Sequence, residues 1–387
     1  MIASAMPSGG QAPPGGRQAL LVLEDGTSFV GKPLGAAART HGEVVFSTAM
    51  TGYQEMLTDP SCAGQILTLT YPLAGNYGIN ADNVESKRIQ VRGLVVREAC
   101  DLPSHWDSQM TLHEYLASQD IVGISGIDTR ALTRHLRRAG VMMGTITVDE
   151  TVEEALARLR PLPGYGETDY ARQVTAAEPY DWPGEQRLPA GTAKRHVVVM
   201  DMGLKYNILR LLRQRGCRVT AVPCTISVDD LLALAPDGIV FSPGPGNPAL
   251  LDYAVDTVKS LIGKKPMLGI CLGHQLLGCA FGAKTFKLKF GHHGANHPVK
   301  DLLTGRVYIT AQNHGYALDP DGLRGGLEVS QVHLNDGTVE GLHHRSEPLL
   351  SIQYHSEASP GPLDNVYVFD RFHQMIEEAS PPEGGAA

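Results

Sequence analysis

No stretch of this 387-residue chain supplies the run of about 18 apolar residues that a membrane-spanning helix requires, so no membrane role is expected. Aromatic residues are sparse at 6%, and a formal net charge of −8 leaves no basic surface for phosphate backbones, which argues against nucleic acid as a partner. The Arg134, Arg137 and Arg138 cluster reads as the solvated face of a helix. Cys62, Cys100, Cys217, Cys224, Cys271 and Cys279 form no C-x-x-C pair and no regular spacing. Most of them read as small buried hydrophobes in a reducing cytoplasm. There is no G-x-x-x-x-G-K-[ST] phosphate loop, no repeat of 20–50 residues, and no basic-then-apolar leader at the N-terminus.

What is present is ordinary globular composition, with 42% hydrophobic and 19% charged residues. The length exceeds the usual single core and suggests two domains. Gly, Pro, Ser and Ala dominate residues 1–18, which read as a flexible tail; 379–387 read as a disordered one. Residues 19–160 carry strand-like runs at 19–32 (around a turn at Asp25-Gly26), 43–47, 65–70, 93–97 and 141–148. A helix fits 128–139, with Asp128 as its cap, giving a mixed α+β N-terminal domain. Pro, Gly and charge break the pattern over 161–195, a linker or a long wrapping connection. From 196 to 378 strand and helix signals alternate, which predicts an α/β domain with a mainly parallel sheet and helices on both faces.

The chemistry concentrates at Met267-Leu-Gly-Ile-Cys271-Leu-Gly273-His-Gln275, an apolar strand running into a helix. Gly269-x-Cys271-x-Gly273 is the thiol counterpart of the G-x-S-x-G nucleophile elbow. A nucleophile on so sharp a turn crowds positions two before and two after, where only very small side chains fit. The helix N-terminus favours thiolate, and the Leu272 amide is the natural first oxyanion donor. A thiol needs a base and a group to orient it. In Ser351-Ile-Gln-Tyr-His355-Ser-Glu357 the pair lies two apart on one strand face. His355 can then serve Cys271 while Glu357 holds its other ring nitrogen.

Phe241-Ser-Pro-Gly244-Pro-Gly246-Asn-Pro-Ala249 fits G-x-G-x-x-A, the dinucleotide-binding turn. Pro243, Pro245 and Pro248 remove the N–H donors a pyrophosphate wants, so an oxyanion loop fits better. Gly291-His-His-Gly-Ala-Asn-His297-Pro invites a metal, but its spacing lacks the H-E-x-x-H helical logic. A structured loop near the active site is expected there, and no metal.

These motifs carry a family resemblance. SPGPGNP, GICLGHQLL and YHSEASPGP resemble the class I (triad) glutamine amidotransferase domain. GEVVFSTAMTGYQEMLTDPS, ILTLTYPLAGNYG, GIDTRALTRHLR, KFGHHGANHPVKD and ITAQNHGYA are similar to carbamoyl-phosphate synthetase small subunits. The resemblance spans roughly 19–378 and implies a glutaminase with catalytic Cys271, His355 and Glu357. It further implies glutamine contacts at Ser61, Gly244, Gly246, Leu272, Gln275, Asn313, Gly315 and Tyr316. Ser61 would place the pocket at the domain interface. It implies no cofactor in this chain, with ATP and Mg in a large synthetase subunit. That subunit would be the partner in a heterodimer or a higher oligomer of heterodimers, and the product would serve arginine and pyrimidine synthesis. The competing readings are an anthranilate- or GMP-type amidotransferase component, which would not require the N-terminal domain, and a catalytically inactive partner subunit. Two departures stand out: Ser356 where the family commonly has Pro, and Pro243 and Asn247 in a loop whose common form is N-G-P-G-D-P.

Overall fold

Alternating apolar residues from Ala19 onward produce a hairpin in the computed structural model, which describes residues 18–183 and 195–379. All but residue 18 of the tail expected over 1–18, most of that at 379–387 and residues 184–194 of the expected connection lie outside them. Ala19–Leu23 pairs with Ser28–Gly35 around Asp25-Gly26, where Gly26 takes φ 90° and the Thr27 amide donates to Asp25 Oδ1 at 2.9 Å. The hairpin joins a closed barrel. After those two strands come Val122–Ser125, Gly93–Val95, Gln65–Leu69, Thr40–Ser47 and Met142–Thr147, which returns to Ala19–Leu23. Closure pairs Leu20 with Thr147, and such distant pairing leaves no local trace in sequence.

Strand residues of opposite parity feed two apolar clusters. Val44, Phe46 and Ile66 pack with Leu132 and Leu136 of the helix Thr129–Ala139. Val45 and Leu67 pack with Leu57, Leu112 and Leu116 from the helices Tyr53–Thr58 and Leu112–Ser118. Asp128 caps the first of these helices through a 2.9 Å bond from the Ala131 amide.

The second half is built on one ten-stranded sheet. Cys217–Pro223, Arg195–Asp201, Gly238–Phe241, Met267–Ile270 and Leu349–Ile352 run parallel at one end. Val339–His344, Leu327–His333, Lys284–Asp301 and Val307–Asp319 extend it antiparallel, and Tyr180–Asp181 adds a short edge beside Cys217–Pro223. Both faces are covered, as a parallel sheet requires. Val198 and Met200 pack on one side with the helices Asp252–Leu261 and Leu272–Ala280. Val197 and Val199 pack on the other with Tyr206–Gln214 and Tyr367–Ala379.

The segment at 291–298, expected as a loop, is strand. Its breakers are absorbed by register shifts between Lys287 and His292 and between Gly294 and His297, with Gly291 at φ 70° and Gly294 at φ 156°. Residues 163–175 cross from barrel to sheet. There Tyr165 and Tyr170 stack at 4.9 Å, against Gly64 on one side, and the Tyr165 hydroxyl accepts from the Gly246 amide on the other. Glu85 of the N-terminal half is buried against Arg210 (3.0 Å) and the Asn207 amide (2.9 Å), and burial raises its carboxyl to about 7.

Candidate active site

The strand Met267–Ile270 ends at Cys271, which starts the helix Leu272–Ala280 at φ 53° and ψ −104°. A non-glycine residue at such a φ is strained, and the surrounding packing enforces it. A Cβ on Gly273 would sit 2.2 Å from the Phe241 carbonyl oxygen, and one on Gly269 would sit 2.4 Å from Leu277 Cδ1. The glycines are therefore required by contact with the neighbouring strand and with the helix itself. Leu272 is the first helical residue, whose amide has no acceptor within the helix.

His355 stands with Nδ1 2.6 Å from Glu357 Oε1, and both residues are buried. Ser356 does not loosen that pair. The turn is held by the His355 amide on the Ala311 carbonyl and the Ala358 amide on the His355 carbonyl, at 2.9 and 3.2 Å. Cys271 Sγ leans toward the Asn313 carbonyl at 3.8 Å, which leaves His355 Nε2 without a hydrogen-bond partner. Burial opposes charge on His355, but Glu357 and the nearby thiol outweigh it and raise the imidazole to about 10. Glu357 falls to about 2 despite burial, drawn down first by Lys205 and then by His355. Lys205 is itself buried, with Nζ 3.2 Å from Glu357 Oε1 and a further bond to the Ala358 carbonyl. The arrangement is a charge relay of four groups: the Lys205 cation, the Glu357 carboxylate, the His355 imidazole and the Cys271 sulfur.

A cavity of about 330 Å³ opens over Cys271. Of the residues expected at glutamine, Ser61, Gly244, Gly246, Gln275, Asn313, Gly315 and Tyr316 line it. Leu272 can reach it only through its backbone. Ser61 comes from the barrel half, in the short turn Pro60–Cys62, and its buried hydroxyl has no protein partner. Asn313 joins the halves: its Nδ2 lies 3.2 Å from both Asp59 Oδ2 and Cys62 Sγ, while His293 Nδ1 is 2.8 Å from its Oδ1. Gln275 donates to the Tyr316 carbonyl at 2.7 Å and to Gln353 Oε1 at 2.9 Å.

One expectation needs correcting. Within the Gly244–Gly246 loop expected to complete the oxyanion hole, the Gly246 amide already donates to the Tyr165 hydroxyl at 3.0 Å. The remaining loop donor beside the elbow is Gly244, whose own approach is so close that a Cβ would meet the Leu272 side chain at 2.6 Å. Pro243 and Asn247 are accommodated: Ser242 Oγ donates to the Pro243 carbonyl at 2.7 Å, and Asn247 Nδ2 to the Gly166 carbonyl at 3.1 Å.

Lys205, Tyr165 and Asp59 escaped the sequence reading, whereas His293 falls in the segment expected near the active site. Only Lys205 left a signal, as a single cation between the apolar strand ending at Asp201 and the helix Tyr206–Gln214. It sits at the carboxyl end of a parallel strand, where such sheets gather their ligands.

Two family descriptions match the chain: the carbamoyl-phosphate synthase small chain CPSase domain over residues 21–146, and class I glutamine amidotransferase over 198–375. The carbamoyl phosphate synthase small chain of Solidesulfovibrio magneticus is 49% identical over 93% of this chain and 99% of its own. That of Listeria monocytogenes serotype 4b is 49% identical over 92% and 96%. The pyrimidine-specific small chain of Bacillus subtilis is 49% identical over 92% and 95%.

Proposed function

The chain belongs to the carbamoyl-phosphate synthase small-chain family, and from that premise we propose that Cys271, His355 and Glu357 form the triad with which it hydrolyses glutamine. The observation that carries the assignment is the meeting of a strained thiol elbow, a buried His355–Glu357 pair and a barrel-derived Ser61 around one cavity. A catalytically inactive partner would have no use for that strain. An anthranilate- or GMP-type component would have none for the domain matched at 21–146.

Cys271 Sγ attacks the carboxamide carbon of glutamine, and the oxygen becomes an oxyanion facing the Leu272 and Gly244 amides. Each such donor is worth about 2.7–4 kcal/mol in the barrier. Collapse breaks the C–N bond, with the His355 proton passing to the nitrogen so that ammonia leaves. His355, now neutral, takes a proton from water, whose oxygen attacks the glutamyl thioester and releases glutamate and thiolate. Glu357, held ionised by Lys205, stabilises the imidazolium each time it forms. Ser61, Gly246, Gln275, Asn313, Gly315 and Tyr316 seat the substrate.

Ammonia passes to a large synthetase subunit, which combines it with bicarbonate using ATP and Mg to make carbamoyl phosphate for pyrimidine and arginine synthesis. A second cavity of about 430 Å³ supports an internal exit, because it shares His293 and Asn313 with the first and also touches His355. Six free cysteines fit a reducing cytoplasm. The test is Cys271→Ser in the reconstituted complex: glutamine-dependent synthesis is lost and synthesis from added ammonia persists. Glutamine hydrolysis surviving in that variant removes Cys271 as nucleophile.

A further inference from the structure

Away from the thiol, three strands bring together polar atoms that the glutaminase reading does not use. His292 on Lys284–Asp301 lies directly opposite His314 on Val307–Asp319, and Glu340 on Val339–His344 completes the group. All three are more than nine-tenths buried. One donor atom from each lies within 4.8 Å of the others, and His292 Nδ1 is 3.7 Å from Glu340 Oε1.

The hydrogen bonds fix which atoms are free. His292 Nε2 is 2.8 Å from Asp336 Oδ2, so its proton sits there and Nδ1 presents a lone pair. His314 Nδ1 is 2.7 Å from the Tyr316 carbonyl, which can only accept, so its proton is on Nδ1 and Nε2 presents a lone pair. Glu340 Oε2 accepts from Gln312 Nε2 at 2.8 Å, leaving Oε1. His292 Nδ1, His314 Nε2 and Glu340 Oε1 are all buried without any partner.

Three buried acceptor atoms face one another, and a proton on Glu340 Oε1 would meet only one of the two imidazoles. A trapped water has two protons and would leave one acceptor unmet. An extra proton on His292 Nδ1 would still be 3.7 Å from Glu340, beyond a hydrogen bond, and would not serve His314. A cation satisfies all three at once. The outer partners are also those of metal-ligating histidines, with one ring bonded to a carboxylate and the other to a backbone carbonyl.

We propose that His292, His314 and Glu340 bind a divalent transition-metal ion of the zinc type. Two neutral imidazoles and a carboxylate are a known zinc donor set, with a water completing four-coordination. The ion pins together three strands, one of which carries Asn313, Gly315 and Tyr316 into the cavity over Cys271. The spacing H-H-x-x-x-H had argued against a metal because two of the three ligands lie outside it, and the partner of His292 across the sheet is invisible to local spacing.

The experiment uses the full chain carrying Cys271→Ser, so that the active-site thiol cannot hold metal. After chelator treatment and dialysis it is titrated with Zn²⁺ and Co²⁺. The expected result is one tightly held metal per chain and a rise of several degrees in the thermal midpoint. Cobalt should give visible bands of low-symmetry nitrogen and oxygen coordination, without thiolate charge transfer. Glu340→Gln and His292→Ala should each weaken binding at least 100-fold. Failure of the parent chain to retain metal or gain thermal stability overturns the proposal without recourse to the variants. So does unchanged affinity in the variants, or a sulfur charge-transfer band.

Discussion

Replacing Lys205 by Met keeps the length of the side chain and removes a cation from 3.2 Å beside Glu357 Oε1, in a region closed to water. Glu357 lies at about 2 against an ordinary 4.5, which at 1.36 kcal/mol per pH unit favours its ionised form by about 3 kcal/mol in spite of burial. Lys205 is the first contributor to that lowering, so without it the ionised form of Glu357 loses its largest support against burial. Breaking a buried pair from one side costs about 3–5 kcal/mol. For a domain of this size that is a fall of about 6–20 °C in the thermal midpoint.

The pH dependence follows from the sign of the shift. A lowered carboxylate stabilises the fold above its unfolded value, near 4.5, and loses that contribution as pH falls through about 2. In Lys205→Met the folded value rises, so the share of the stabilisation that Lys205 supplies is already missing at neutral pH. Urea titrations of both proteins at pH 7 and pH 4 measure the difference. Glutaminase assays across pH should show the alkaline limit move to higher pH, because Glu357 stays ionised beside His355 while a like charge near the imidazolium is gone. A stability difference below about 1 kcal/mol at pH 7, with an unchanged pH–rate profile, would refute the charge relay.

Glu357→Gln retains the shape beside His355 and deletes its charge. The imidazole should fall from about 10, and glutaminase turnover should drop roughly 10³-fold with its alkaline limit shifted to lower pH. A profile that does not move would assign Glu357 to packing alone. Gly273→Ala places a methyl 2.2 Å from the Phe241 carbonyl oxygen. Strand or helix must shift, and we expect a loss of about 1–3 kcal/mol in stability and more than tenfold in glutamine turnover. Full activity there would mean that the elbow tolerates more movement than its contacts suggest. Both variants should keep ammonia-dependent synthesis in the complex.

The elements that could be read from sequence are those set by local pattern. The runs at 196–201 and 217–223 declared themselves as buried strands, and Gly269 and Gly273 announced the elbow, because each is dictated by residues a few positions away. His355 and Glu357 were legible for the same reason. What escaped depends on distant pairing. The barrel closes through Leu20 and Thr147, and Lys205 meets Glu357 from another strand end. The Gly246 amide is taken by Tyr165, in a stretch whose composition suggests only a connection. The glycines at 291 and 294 fall in a segment expected as a loop, yet they let the strand bulge and continue.

Asn313 binds Asp59 and Cys62 of the barrel with its side chain while its carbonyl faces the thiol. If the proposed site is the glutaminase, it is a logical conjunction, in which neither half of the chain is expected to process glutamine on its own. During synthesis the barrel emerges before Cys271, and His355 and Glu357 come later still, so the nucleophile is made only after the surface carrying Ser61 exists. A chain cut or misfolded in either half falls silent. It does not become an unregulated source of ammonia.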